Sequence, residues 1–335
     1  MRFLKWCLII LVLAGLTGAS AYGWWRFVLS QPIALKSPTV FEVTRGEGAR
    51  QVLSSLEQQD IISAVWPYKV LGLLEPDRLR RLRAGEFEVT PDMTAYQLLD
   101  RLSSNEVVTY RLTIPEGWTF HQMRQLINGA DKLDHSTRTL DDNALMAELG
   151  HEGMNPEGRF FPSTYRFHKG TSDLHLYRQA FARMSDVVDK AWAERDKDLP
   201  LTSPYEALIL ASLIEKETGA PEERREIAGV FVRRLEKGMR LQTDPTVIYG
   251  LGKSYNGDIT RADLKGITAY NTYVIDGLPP TPIALPGKAA IDAAVHPLPG
   301  SSLYFVAKGG GRHQFSDTLA EHNRAVRRYQ LGQGQ

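Results

Sequence analysis

An α+β fold behind an N-terminal transmembrane helix is predicted by three observations. An uncharged run from Trp6 to Trp25 opens the chain, and three short alternating segments before residue 130 each lead through a turn into one amphipathic helix. Longer helical patterns fill most of the remainder. The chain has 335 residues, 43% of them apolar, with 40 Lys+Arg against 39 Asp+Glu. That length suits two globular units whose cores need no staples. The single cysteine, Cys7, excludes a disulfide scaffold, and the near-neutral balance leaves no electrostatic footprint for nucleic acid.

The apolar run comes first. Arg2 and Lys5 precede it and Arg26 follows it. Twenty residues at about 1.5 Å rise span about 30 Å, the thickness of a bilayer core. Trp6, Trp24 and Trp25 lie where aromatic belts form, and the basic N-terminus predicts a cytoplasmic start with the rest of the chain outside. The alternative is a cleaved signal peptide, because Ala19-Ser20-Ala21 has the small-x-small form of a cleavage site. The run continues past that site and exceeds the usual signal core of roughly 7–15 residues, which favours a retained anchor over residues 1–28. Residues 29–38, with Gln31-Pro32 and Ser37-Pro38, read as an extended tether.

Residues 39–130 carry an internal similarity. Phe41-Glu42-Val43-Thr44 leads into a helix with Val52, Leu53 and Leu56 at helical spacing. Phe87-Glu88-Val89-Thr90 leads into Leu98, Leu99 and Leu102, and Leu112-Thr113-Ile114 leads through Pro115-Glu116-Gly117 into a helix ending near Ile127. These units predict a small α+β region. Its first unit resembles the LysM-like pattern of cell-wall-binding modules; the alternative is a spacer without a ligand.

Residues 131–335 predict a larger, mostly helical α+β domain, with helices over 173–192 and 221–237 and a late strand over 303–307. Between those helices, Ser203 is an N-cap, Pro204 takes the first helical position, and Glu206 completes a capping box. Gly219 supplies the C-cap, so the helix is Pro204 to Thr218. At 100° per residue, Glu217 falls about 50° from the mean apolar direction and Glu215 about 110° away. Burial beside leucines and the negative end of the helix dipole both raise the pKa of Glu217. A carboxyl kept protonated near neutral pH is what a general acid in glycosidic cleavage requires. The competing reading is a structural ion pair with Arg224 or Arg225.

The next loops hold Gln242, Thr243 and Asp244, then Tyr270, Asn271 and Tyr273, the amide, hydroxyl, carboxyl and aromatic groups that bind sugars. Asp244 before Pro245 also fits an N-cap, and the tyrosines also fit a core. His296 and His313 flank the late strand and fit a cleft wall. No metal-ligand spacing, cofactor motif or G-x-S-x-G elbow is present, and Gly252-Lys253-Ser254 fails as a P-loop because Val247 stands where the first glycine belongs.

Leu213-Ile214-Glu215-Lys216-Glu217-Thr218, with Leu241 to Gly250, Tyr270 to Tyr273 and Gly277 to Pro280 in this order, closely resembles the endolytic murein transglycosylases of the YceG-like family. The resemblance covers nearly the whole chain and implies that 131–335 is catalytic, with Glu217 as the catalytic carboxyl. Family members often carry Asp where Ser163 stands, so Ser163 is left out of the site. The resemblance implies non-hydrolytic cleavage of the β-1,4 bond between N-acetylmuramic acid and N-acetylglucosamine within peptidoglycan glycan strands, without a cofactor. Glu217 then serves as acid and next as base, deprotonating the muramic C6 hydroxyl, which closes on C1. A single carboxyl suffices, matching a sequence with one clear buried carboxyl and no obvious partner. The expected setting is the bacterial inner membrane beside the peptidoglycan synthases, with the catalytic domain periplasmic. The rivals are a non-catalytic membrane-anchored wall-binding scaffold and a cytosolic cofactor-dependent lyase.

Overall fold

The computed structural model describes residues 2–331. Met1 and residues 332–335, which fall in the anchor and the C-terminal segment as read from sequence, lie outside the described residues, as does the Arg2 side chain. The chain divides into two compact units: one runs to Tyr110 and takes back 166–170, and the other holds 111–165 and everything from Thr171. The boundary read from sequence at 130 therefore moves. The third strand-turn-helix segment belongs with the second unit because its Phe120 ring stacks on Phe160, centroids 5.1 Å apart, in that unit's core.

In the first unit, α1 (Arg2–Ser30) is one helix of 29 residues. Its stretch from Phe3 is long and apolar enough to cross a membrane. The helix does not stop at residue 28, and the segment after it is not a free tether. Leu29 is 1% exposed in the core, Ile33 and Leu35 pack against that core, and the Ile33 amide donates to the Met93 carbonyl at 2.8 Å. Three apolar side chains within the expected tether were the signal that this segment docks. The unit continues through β1 (Thr39–Val43), α2 (Ala49–Gln58), α3 (Trp66–Leu74), α4 (Pro76–Arg80), β2 (Gly85–Val89) and α5 (Ala95–Ser103). β1 and β2 pair antiparallel with Phe41 opposite Phe87, and the predicted stripes Val52, Leu53, Leu56 and Leu98, Leu99, Leu102 are buried against them. α3 was not anticipated, since the stretch from Ile61 to Leu74 has no polar face from which to read a period, and neither was α4, whose five residues are too few to show one.

The second unit contains β3 (Tyr110–Thr113) from Arg111 onward, then α6 (Phe120–Asn128), β4 (Leu133–Asp134), α7 (Asp142–Glu148), β5 (Thr164–Phe167) as far as Tyr165, β6 (Thr171–Ser172) and α8 (Asp173–Ala193). Next come α9 (Pro204–Glu217), α10 (Arg224–Glu236), α11 (Asp244–Leu251), α12 (Arg261–Lys265), α13 (Lys288–Val295), the hairpin β7 (Tyr304–Gly309) with β8 (Arg312–Ser316), and α14 (Leu319–Tyr329). The strands form two-stranded pairs: β3 with β5, β4 parallel to β6, and β7 antiparallel to β8.

α9 is the centre of this unit, packed by α8, α10, α11 and α13, and every residue from Ala207 to Ile214 is buried. The two-faced helix assumed from the projection is thus enclosed all round. Ser203 caps it as predicted, its hydroxyl accepting from the Glu206 amide at 3.2 Å. Glu206 reaches the Thr202 amide instead of closing the box on Ser203. The far end stops because Thr218 turns extended, at φ −143° and ψ 136°, not because Gly219 is left-handed. Gly238 does take that role after α10, at φ 63°.

Candidate active site

Glu217 ends α9 half-buried on the wall of a cavity of about 400 Å³, together with Arg234, Gln242, Asp244, Tyr273 and Tyr304. Its carboxyl accepts the Thr243 hydroxyl. Arg224 faces Glu215 at 3.9 Å and Arg225 donates to the His296 carbonyl, so the ion pair considered for Glu217 forms on other partners. Burial pushes the Glu217 pKa up to about 7; the Asp244 charge pushes the same way, while the Thr243 hydroxyl and Arg234 oppose it. Glu215, expected at the edge of the apolar face, has a side chain only 8% exposed and accepts the Gly287 amide at 2.9 Å. Because α9 is enclosed, what separates the two carboxyls is which neighbour each meets: Glu217 meets the cavity, Glu215 a backbone amide.

The segment 242–246 is held by a ladder of hydroxyls. The Thr243 amide donates to Thr272 Oγ1 at 3.0 Å, Thr246 Oγ1 lies 2.9 Å from Thr272 Oγ1, and Thr246 also donates to the Thr243 carbonyl at 2.7 Å. Gln242 sits at φ 51°, a left-handed conformation that costs a non-glycine residue about 1–2 kcal/mol. The Thr243–Thr272 bond holds that strain and keeps Thr243 on the carboxyl. Asp244 does not cap α11; its Oδ1 accepts the Tyr273 hydroxyl at 2.6 Å. A second carboxylate therefore lines the cavity with Glu217, at a position the sequence had offered as a sugar-binding group or an N-cap.

Gln242, Thr243, Asp244 and Tyr273 thus gather around Glu217, and Tyr270 and Asn271 do not. The Tyr270 hydroxyl pairs with Thr281 at 2.9 Å and its ring meets Tyr249 edge-on, and the half-buried side chain is not part of the cavity lining. Asn271 is 1% exposed. Its amide donates to the carbonyls of Asp263, Leu264 and Gly266 at 3.1, 3.2 and 2.7 Å, and its Oδ1 accepts from the Tyr273 amide at 2.9 Å. A side chain so engaged has nothing left for a sugar; it positions the turn that carries Tyr273. Ser163 accepts from Arg183 at 3.0 Å, away from the cavity lining.

Sequence reasoning missed several wall residues. Arg234, 7% exposed, donates to the Leu303 and Leu241 carbonyls at 2.7 and 2.8 Å and lies over the Tyr304 ring at 5.1 Å. Tyr304 stacks on His322 of α14 at 5.3 Å, so the C-terminal helix and hairpin build this side of the cavity. His313 lines it too, whereas His296 turns to Asp196 at 2.7 Å. Another buried carboxyl, Glu157, accepts the Phe120 amide at 2.9 Å and the Tyr249 hydroxyl at 3.0 Å, and burial pushes it up to about 7. It does not line the cavity. The legible signal for Arg234 was a charged residue two positions past the apolar Val230-Phe231-Val232 run of α10 and directly before Leu235.

The sequence profile of the YceG-like family matches residues 41–328, a span that includes every residue of this wall named above. The chain belongs to the YceG-like family. It is 30% identical over 334 residues to the endolytic murein transglycosylase of Bacillus subtilis, covering 93% of this chain and 90% of that one. It is 26% identical to the endolytic murein transglycosylase of Streptococcus pneumoniae, covering 94% of this chain and 63% of that protein. The crystal structure of a yceG-like protein from Listeria monocytogenes superimposes with a TM-score of 0.55 at 31% identity, covering 87% of this chain and 99% of that one. YceG-like membership thus rests on sequence and fold together.

Proposed function

We propose that the chain is an endolytic murein transglycosylase whose catalytic residue is Glu217. The observation that carries this reading is a half-buried carboxyl with a pKa of about 7, opening on a cavity large enough for sugar rings, in a chain related to proteins of that name. Glu217 protonates the glycosidic oxygen as the muramic C1–O bond breaks. The resulting carboxylate takes the proton of the C6 hydroxyl, whose oxygen closes on C1 to give a 1,6-anhydro end. Asp244, held by Tyr273, stabilises positive charge developing at C1. Gln242 and Tyr273 offer amide and hydroxyl groups to the glycan. In the cell, α1 anchors the chain in the inner membrane with its N-terminus cytoplasmic, the LysM-like first unit and the catalytic unit face the periplasm, and nascent strands are cut near the synthases. A scaffold without catalysis would need no such carboxyl.

The presence of Asp244 favours one competing chemistry, an inverting hydrolase in which Asp244 activates water. Product analysis separates the two. Glycan strands digested in ¹⁸O-water and examined by mass spectrometry should end in 1,6-anhydro-muramic acid without label, in products longer than disaccharides. Label at the new muramic C1 in most products would mean hydrolysis and overturn the transglycosylase reading. The intramolecular hydroxyl wins because an oriented group reaches an effective molarity of about 10⁵ M or more.

A further inference from the structure

We infer that the outward face of α3 lies in the lipid interface beside α1, so that the first unit rests on the membrane by a second, non-spanning element. The inference rests on α1 crossing the membrane, as proposed above. α3 is apolar on both sides. Pro67, Tyr68 and Leu71 face the core, while Trp66, Leu73 and Leu74 are 44%, 84% and 57% exposed. Trp66 and Leu73 are seven residues apart, two turns along one face, and Leu74 adjoins it. A patch of one tryptophan and two leucines open to water on a small domain marks an interaction surface.

Its occupant is argued from continuity with α1. The Trp24 ring stacks on Trp66, centroids 5.6 Å apart and 12° between planes, and the Trp25 indole donates to the Pro67 carbonyl at 3.0 Å. The start of α3 is therefore fixed at the level where the uncharged run of α1 ends, the depth at which tryptophans form interfacial belts. Charge fits as well. Between Lys69 and Arg83 there are five basic residues against two acidic ones, and Lys69, Arg80, Arg81 and Arg83 are exposed. Apolar side chains with arginine and lysine around them are the composition of an element lying in the headgroup region of an anionic leaflet.

The test uses the full chain in phosphatidylethanolamine–phosphatidylglycerol vesicles, with Cys7→Ser removing the lone cysteine and an environment-sensitive fluorophore placed at Leu73→Cys or Leu74→Cys. Both positions are exposed, so neither substitution disturbs the core. Doxyl-labelled lipid should quench these probes by about twofold or more, while iodide present on both sides of the membrane should quench them weakly. Strong iodide quenching with none by doxyl lipid would show a water-facing helix and overturn the inference. Shielding from both quenchers would show a protein cover, a second copy or a partner, and would overturn it equally. A probe at Leu13→Cys in α1 separates the premise: if doxyl lipid quenches Leu13 and spares Leu73, the anchor stands and the lipid contact of α3 fails; if it spares both, the anchor itself fails.

Discussion

The hydroxyl of Thr243, the residue before α11, donates to the carboxyl of Glu217, the last residue of α9. Twenty-six residues separate them in sequence. The bond makes the acidity of Glu217 depend on where the 242–246 turn sits, and Thr272 and Thr246 fix that turn. The hydroxyl stabilises the anion, while burial and Asp244 destabilise it, and the carboxyl settles at about 7.

Replacing Thr243 by Val removes the hydrogen bond that favours the anion. The pKa of Glu217 should rise, by about one unit for a charged hydrogen bond of roughly 1.5 kcal/mol. A general acid works protonated, so the alkaline fall in kcat/KM should move to higher pH while the maximum drops because the carboxyl is less well aimed. A pH–rate profile checks this; an unmoved alkaline limb would mean that the bond has no part in setting the proton.

Asp244→Asn should act in the opposite direction on the same profile. Asn keeps an oxygen for the Tyr273 hydroxyl but removes a negative charge that raises the Glu217 pKa. The alkaline limb should move to lower pH, and kcat should fall by about 10- to 1,000-fold if the carboxylate also stabilises charge at C1. A limb shift with unchanged kcat would confine Asp244 to tuning Glu217.

Asn271→Ala should lower stability more than it touches chemistry. The Leu264 and Gly266 carbonyls and the Tyr273 amide lose a hydrogen bond to a side chain that is 1% exposed, while the Asp263 carbonyl keeps the Gly266 amide at 3.0 Å. Orphaning several buried groups should cost about 2–4 kcal/mol. Thermal unfolding should show it as a clear fall in Tm, against little change for Gln242→Ala, whose side chain is exposed. This reverses what the sequence suggests for Asn271, an exposed sugar ligand.

Much of the site was legible because it sits at element ends. Ser203 and Pro204 start α9, Gln242 and Thr243 precede α11, and each leaves a local signature that needs no tertiary knowledge. Glu217 was selected by a projection whose premise, a helix with one apolar and one polar face, does not hold; it meets the cavity because it lies at the helix end, where the enclosing shell opens. Asn271 was misread because its value lies in carbonyls five to eight residues away, geometry that composition does not encode. Tyr304 and His322 were invisible for the same reason: β7 and α14 meet α10 only in the folded unit. The docking of Leu29 and Ile33 was hidden by two prolines that looked like a linker.

Glu217→Gln and Glu215→Gln should separate chemistry from architecture, with stability as the second readout. Glu217→Gln keeps an acceptor for Thr243 but has no proton to transfer, so activity should fall to near background. Glu215→Gln keeps an acceptor for the Gly287 amide at a position off the cavity and should retain most activity. Stability gives a sign that a merely damaged protein would not show. The folded pKa of Glu217, about 7, lies above its ordinary 4.5, so the folded state holds a proton the unfolded state has released. Its ionisation costs stability that grows as pH rises from about 4.5 to 7 and is fully present above 7, while below 4.5 both states are protonated and the cost vanishes. The shift of about 2.5 units bounds the cost near 3 kcal/mol, and the opening of the cavity to solvent lowers this to about 1–2 kcal/mol. Glu217→Gln should therefore be inactive yet unfold at a higher temperature than the parent at pH 8, with the two converging near pH 4. An inactive variant that is less stable than the parent at pH 8 would mean that Glu217 is a structural carboxylate and that the acid must be sought elsewhere.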